Sequence, residues 1–156
     1  MLVAGHIGFS WLIGKLINRY GLRGKWLTNR LWILLLGALF PDMIDKPLGL
    51  IIHNGRAICH TLLLFGLLLV FTVWWTIKNK RPTWTIFTFG WLMHLLLDRI
   101  WLSANTFFWP LYGPFAVYAH QWFFWRIILD PATYIPELIG SAIIVLMLIF
   151  RSKRAT

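Results

Sequence analysis

The apolar runs of this chain are long enough to cross a membrane, and they constrain its fold more than any other feature. Residues 57–77 form a predominantly apolar stretch of about twenty residues, the length that an α-helix needs to span the hydrocarbon core of a bilayer. Hydrophobic residues make up 59% of the chain and charged residues 13%, whereas a soluble domain is about half apolar and about a quarter charged. Because a segment in lipid must satisfy its own backbone polar groups, we expect an all-α integral membrane protein.

Turn residues and prolines divide the chain into five predicted helices. They cover approximately residues 2–20, 26–40, 57–77, 83–102 and 133–150. Pro41 is expected to end the second helix, and residues 41–56 and 103–132 are expected to be loops. The 156 residues contain no internal repeat or linker, so we predict a single membrane-embedded domain over residues 1–156.

Basic residues cluster where the predicted helices end, and this sets an orientation. The chain has 15 Lys and Arg against 5 Asp and Glu, for a net charge of +10. Eleven of the basic residues flank the first turn, the second turn and the tail: Lys15, Arg19, Arg23, Lys25, Arg30, Lys78, Lys80, Arg81, Arg151, Lys153 and Arg154. A five-helix path puts all three segments on one side, which the positive-inside rule makes cytoplasmic. We therefore predict a multi-pass protein of the cytoplasmic (inner) membrane, with its N-terminus outside and its C-terminus in the cytoplasm.

The excess of positive charge also has a second usual interpretation, which is binding to nucleic acid. Here the basic residues stand at the ends of apolar runs, where they anchor helices at the membrane surface. We expect membrane lipids as partners and no nucleic acid.

Three of the five acidic residues lie in apolar surroundings, where an isolated carboxylate is costly. Asp42 and Asp45 belong to the run PDMID, and Asp98 ends the run HLLLD. Ionisable residues inside a membrane normally pair, bind ions or line a polar cavity. The five-helix path brings six such side chains from four helices to a similar depth, toward the outer leaflet. They are His6, Asp42, Asp45, His60, His94 and Asp98.

The spacing of these residues favours a metal site. His94 and Asp98 are four positions apart and share a helix face. Pro41 suits the first turn of a short helix, which would hold Asp42 and Asp45 near its positive end. Histidines and carboxylates together suit one or two divalent ions, zinc first, with manganese or iron as alternatives. A bound metal would offset the carboxylate charge and could activate a water molecule at neutral pH.

The same motifs, in their order along the chain, resemble the YdjM-like family of membrane-bound metal-dependent hydrolases, also described as LexA-regulated inner-membrane proteins. The matching segments are His6, PDMID at 41–45, NGRAICHTLL at 54–63, HLLLD at 94–98 and WPLYG at 109–113. The resemblance implies hydrolase activity, and a distant similarity of that family to zinc phospholipase C and P1 nuclease implies phosphoester chemistry. Many members have a histidine where this chain has Gly55, so a second metal would be missing or held differently.

The leading functional prediction is a metal-dependent phosphoesterase acting on a lipid or lipid-linked phosphate. Its predicted catalytic residues are Arg56, Asp45 and His60. Arg56 precedes His60 by four positions, so a helix would place both on one face, and its guanidinium could grip a phosphate bidentately. Lys46 is a further candidate for phosphate contact.

Two other functions are compatible with the same residues. One is divalent metal transport, because intramembrane Asp and His also build ion pathways. The other is a non-catalytic membrane protein with a structural metal. A transporter should carry polar residues along its whole path, whereas the inner halves of the third and fifth predicted helices look apolar, which favours the enzyme.

Overall fold

The computed structural model describes residues 3–20, 27, 29–52, 55–115 and 130–152, and every regular element in these ranges is helical. The α-helices are α1 (Val3–Tyr20), α2 (Leu31–Ile52), α3 (Leu62–Asn79), α4 (Thr83–Leu97), α5 (Ala104–Phe107) and α6 (Pro131–Ser152), with 3₁₀ helices at Ile58–His60 and Ile100–Leu102. The predicted all-α class is confirmed. Two segments are long and apolar enough to cross a membrane, Leu62–Asn79 and Pro131–Phe150, and Thr83–Leu97 is a shorter apolar helix.

Some predicted features lie outside the described residues. These are the basic turn at 21–25, residues 116–129 of the predicted aromatic loop, and the tail at 153–156. The described part of the predicted loop 103–132 contains the short helix α5 and the start of α6.

The predicted end of the second helix at Pro41 is wrong, because α2 continues through Pro41 and Pro47 to Ile52. A buried stripe explains this continuity. Leu34, Ala38, Asp42, Asp45 and Gly49 are all buried, and their spacing of three or four residues follows one helix face. Proline is tolerated in a helix of this kind when neighbouring elements hold it in place. Asp42 and Asp45 therefore lie in the middle of a long helix and not at the start of a short one.

The helices α2 and α4 cross with their backbones in contact. A Cβ atom on Gly37 would overlap the carbonyl of Phe87, and one on Gly90 would overlap the carbonyl of Leu34. Close crossings through small residues are typical of helices packed in membranes. This crossing matters for the site, because His94 lies one turn beyond Gly90 on α4.

We expect Gly90→Ala to destabilise the protein, because the new methyl group cannot fit without moving α2 away from α4. Forcing a methyl group into a closed contact commonly costs about 1–3 kcal/mol. Gly66→Ala in α3 is the matched control, since a Cβ there meets nothing within 4 Å. Thermal unfolding of the purified proteins compares them, and equal melting temperatures for Gly90→Ala and wild type would contradict the close crossing.

The helix α3 begins later than predicted, at Leu62 instead of residue 57. Thr61 caps it, because its hydroxyl accepts a hydrogen bond of 3.2 Å from the amide of Leu64. Such caps satisfy a first-turn amide that has no partner within the helix. The preceding 3₁₀ helix Ile58–His60 turns the chain inward, so that His60 is fully buried.

Threonines join α3 to α4 in the halves of these helices that are nearer their connecting turn. The hydroxyl of Thr88 donates to that of Thr72 at 3.1 Å, and both side chains are buried. Nearer the connecting turn, the hydroxyls of Thr76 and Thr85 are 2.7 Å apart. Hydrogen bonds of this kind between helices hold a membrane bundle together.

The first and last helices, α1 and α6, also touch through glycine. A Cβ atom on Gly140 would come within 2.5 Å of the Ala4 carbonyl oxygen and of the Gly5 Cα atom. Beside this contact, the carboxylate of Glu137 accepts hydrogen bonds from the amides of Ala4 at 3.0 Å and Gly5 at 3.1 Å. First-turn amides have no partner within their own helix. Glu137 therefore caps α1 from a neighbouring helix and fixes the residue that follows, His6.

Candidate metal centre

Four buried side chains meet at one end of the bundle. Asp42 comes from α2, His60 from the 3₁₀ helix before α3, His94 from the last turn of α4, and Asp98 from the end of that helix. Each offers one ligand atom, and these atoms all lie within 4.8 Å of one another. We call these four residues the metal group, because two imidazoles and two carboxylates form a donor set that divalent cations bind.

Asp45 fixes the orientation of His60. One carboxylate oxygen of Asp45 lies 2.7 Å from the Nδ1 atom of His60, and the same oxygen accepts from the amides of Ala57 at 2.7 Å and Cys59 at 3.1 Å. A carboxylate in this role only accepts, so Nδ1 of His60 carries the proton. The Nε2 atom of a neutral His60 then presents its lone pair to the metal group.

A backbone carbonyl fixes the orientation of His94. Its Nδ1 atom lies 2.7 Å from the carbonyl oxygen of Ala38, which also can only accept, so the lone pair of His94 is again on Nε2. The two Nε2 atoms of His60 and His94 are 3.1 Å apart. Two lone pairs at this distance repel each other unless a proton joins the nitrogens or a metal ion binds both. Histidine ligands of metals are normally oriented by a hydrogen bond on the other ring nitrogen.

The carboxylates complete the group at distances that one ion can bridge. An oxygen of Asp42 lies 3.9 Å from His60 Nε2 and 3.7 Å from His94 Nε2, and an oxygen of Asp98 lies 3.8 Å from His60 Nε2. Ligand atoms about 2.0–2.2 Å from a tetrahedral zinc are separated from one another by about 3.3 Å. The spacing therefore fits a single divalent ion after small side-chain movements.

The other two predicted ligands touch this group from outside it. His6 is fully buried, its ring stacks on that of His94 with centroids 4.1 Å apart, and its Nε2 atom lies 3.4 Å from an oxygen of Asp98. Asp45 contacts the group through His60. The structure thus brings all six predicted residues together, with Asp42, His60, His94 and Asp98 facing one another. The contacts of Asp45 indicate that it orients His60. Direct metal ligation by His6 or Asp45 stays a prediction.

Two half-exposed cations lie at the rim of the metal group. A guanidinium nitrogen of Arg56 is 2.9 Å from Asp98, and the ammonium of Lys46 is 2.6 Å from Asp42. Burial alone would raise the pKa of Asp98, but the hydrogen bond with His6 and the charge of Arg56 outweigh it, so this pKa lies well below its usual range. Asp98 is therefore ionised at neutral pH.

The predicted helical pairing of Arg56 with His60 is wrong. Arg56 lies in a bend before the 3₁₀ helix Ile58–His60, so the two residues do not share an α-helical face. Arg56 reaches the metal group through Asp98 instead.

Cys59 lies next to His60 but outside the four side chains whose ligand atoms come together. Burial raises the pKa of its thiol to about 12, and the nearby charge of Asp45 adds to this effect. At Gly55, where the family resemblance predicts a histidine, an added Cβ meets nothing within 4 Å among the described residues, so the backbone has room for a side chain there.

The bundle and the metal group together define a helical membrane protein with a buried His/Asp centre. The chain matches the model of the YdjM inner membrane protein family over residues 1–155, and it belongs to that family. Neither the curated proteins nor the solved structures include a match to this chain.

Proposed function

We propose that this protein is a metal-dependent phosphoesterase that acts on a lipid or lipid-linked phosphate. The observation that carries the proposal is the pair of imidazole Nε2 atoms, 3.1 Å apart and flanked by two carboxylates, with cations at the rim. When bound, a divalent ion would supply positive charge that polarises a phosphoester and acidifies water. Zinc is the metal that best suits the donor set.

The rim cations support a phosphate as the group that is bound. Arg56 and Lys46 have side chains that are 39% and 35% exposed, so both can contact a substrate while they stay close to the metal group. Arginine binds two phosphate oxygens at once, and lysine acts as a point charge. An incoming phosphate would be held between these cations and an ion bound by the metal group.

An apolar crevice at the metal-group end of the bundle supports a lipid as the carrier of that phosphate. It has a volume of about 90 Å³ and runs between α3 and α4, with Phe65, Leu95 and Ile100 among its lining residues. Phe65, Leu95 and Ile100 pack in one apolar cluster with Cys59, the neighbour of His60 in the chain, so the crevice lies at the same end of the bundle as the metal group. It has room for a short stretch of an acyl chain.

The packing below the metal group supports an enzyme over a transporter. Leu27, Leu34 and Ile86 are fully buried and form one apolar cluster. The buried hydroxyls of Thr72 and Thr88 bond to each other. An ion leaving the site toward the connecting turn of α3 and α4 would meet these groups instead of open ligands.

Metal-loaded protein is expected to release phosphate from lipid phosphoesters. The assay compares phosphatidic acid, a lipid diphosphate and a water-soluble aryl phosphate, with His94→Ala as the inactive control. Faster release from the lipids than from the aryl phosphate would support the crevice as an acyl site. No release by metal-loaded wild type from any member of a broad lipid panel would refute the proposed activity and favour transport or a structural metal.

We also propose that the metal group lies toward the outer face of the membrane, because the basic turn between α3 and α4 should be cytoplasmic. In a Cys59→Ala background, Leu111→Cys is expected to react with an impermeant maleimide in intact cells. Asn79→Cys should react only after the membrane is opened. Labelling of both positions from the same side would show that this orientation is wrong.

A further inference from the structure

A second cavity lies at the opposite end of α3 from the metal group. It has a volume of about 420 Å³ and is lined by Trp75, Asn79, Arg81, Thr83 and Trp84. The 18 residues of α3 span about 27 Å at 1.5 Å per residue, so this cavity is remote from the metal group. Its volume is within the range of small-molecule sites, about 300–1,000 Å³.

Arg81 lines the cavity, Lys78 and Lys80 belong to the same basic segment, and within the described residues none of the three pairs with an acidic side chain. Lys78, Lys80 and Arg81 are exposed and fall within four consecutive residues. All five acidic residues of the chain are engaged elsewhere. Asp42, Asp45 and Asp98 belong to or support the metal group, Asp130 bonds the first turn of α6, and Glu137 caps α1. The positive charge of this turn is therefore available to an anion from outside the chain.

The backbone beside the cavity favours an anion as well. The helix α4 begins after Pro82, and no side chain caps its first turn, whose amides point along the positive end of the helix dipole. The turn itself is held in place, because the amide of Lys80 bonds the Thr76 carbonyl at 2.8 Å and the hydroxyl of Thr76 bonds the Arg81 carbonyl at 3.2 Å. The cations are thus presented by an ordered loop.

The walls of the cavity identify the kind of anion. Trp75 and Trp84 are 36% and 49% exposed, and tryptophan at the end of an apolar helix is typical of the level of lipid headgroups. A ligand between them must carry negative charge at the turn and apolar chains along α3. Basic pockets between the ends of membrane helices bind anionic lipid headgroups. We propose that this cavity is a binding site for the phosphate-bearing headgroup of an anionic phospholipid, independent of the metal group.

The test measures lipid retention and stability in purified, delipidated protein. Native mass spectrometry should show one retained phosphatidylglycerol when this lipid competes with equimolar phosphatidylcholine, and phosphatidylglycerol should raise the melting temperature more than phosphatidylcholine does. The double variant Lys80→Gln/Arg81→Gln is expected to bind phosphatidylglycerol about tenfold or more weakly. The matched control is Lys15→Gln/Arg19→Gln, which removes the same charge from exposed positions of α1.

Three results would overturn the proposal. Equal retention of the two lipids by wild type would show that the cavity does not select an anion, and this measurement needs no variant. An equal loss of binding in the control pair would assign the effect to overall charge. A rise in melting temperature with inorganic phosphate as large as that with phosphatidylglycerol would show a simple anion site.

Discussion

Removal of divalent metal by a chelator is expected to lower the melting temperature of the purified protein by about 5–10 °C. This is the shift expected when the free ligand concentration before removal is about a hundred times the dissociation constant. Without a metal ion, only a proton between the Nε2 atoms of His60 and His94, which are 3.1 Å apart, can offset the repulsion of their lone pairs. The carboxylates of Asp42 and Asp98 add negative charge beside them. Such a group is stabilised by metal, because the ion neutralises repulsion in poorly solvated surroundings.

Single substitutions can distinguish a metal ligand from a residue that only orients a metal ligand. His94→Ala should abolish both the bound metal and the response to chelator. Asp45→Asn should weaken metal affinity by about 10–100-fold, the usual effect of losing the partner of a ligating histidine. Asp130→Asn, which removes a carboxylate that accepts a hydrogen bond from the first turn of α6, should keep the full response. Metal analysis and thermal unfolding measure both effects, and identical melting of metal-free and metal-loaded wild type would refute the site.

Arg56→Ala is expected to reduce phosphate release by about 10²-fold or more while metal content stays unchanged, because loss of one charged donor to a transition state costs a few kcal/mol. The guanidinium lies 2.9 Å from Asp98 and is partly exposed, so it can contact a phosphate held at the metal group. Arg56→Lys should restore only part of the rate, since lysine lacks the bidentate fork.

The control for this variant is Lys15→Ala, which removes a positive charge from an exposed position of α1 and should leave the rate unchanged. Release from a lipid phosphoester is measured for all proteins with matched metal content. Equal rates for wild type and Arg56→Ala would remove Arg56 from the mechanism. A loss of metal in Arg56→Ala would instead assign it the role of holding Asp98.

The sequence was sufficient to predict the helical class and the meeting of six polar residues, because both follow from apolar length and from chain direction. The extent of α2 was missed. Pro41 suggested a break, but the burial spacing of Ala38, Asp42 and Asp45 continues through it. The spacing of these residues can be read from the sequence. Whether it outweighs the proline depends on the packing of α2 against α4, which only the fold shows.

The sequence could not predict which polar residues face the metal group and which orient a neighbouring ligand. Asp42 and Asp45 look alike in the sequence, yet one faces the metal group and the other bonds His60 and two backbone amides. The difference depends on where the 3₁₀ helix Ile58–His60 places its amides. The carbonyl of Ala38, which sets the orientation of His94, has no signal in the sequence because any residue provides a carbonyl.

The cap that Glu137 provides for α1 bears on how the protein is assembled during synthesis. His6 lies in the first of the described helices and Glu137 in the last of them, so His6 is synthesised well before Glu137. The bonds from Ala4 and Gly5 to Glu137 cannot form until α6 has been made and has packed against α1. The four donors of the metal group precede α6 in the chain, whereas the first turn that carries His6 is fixed only afterwards. A nascent chain can therefore gather its metal ligands early, and the centre reaches its final form only when the last helix is in place.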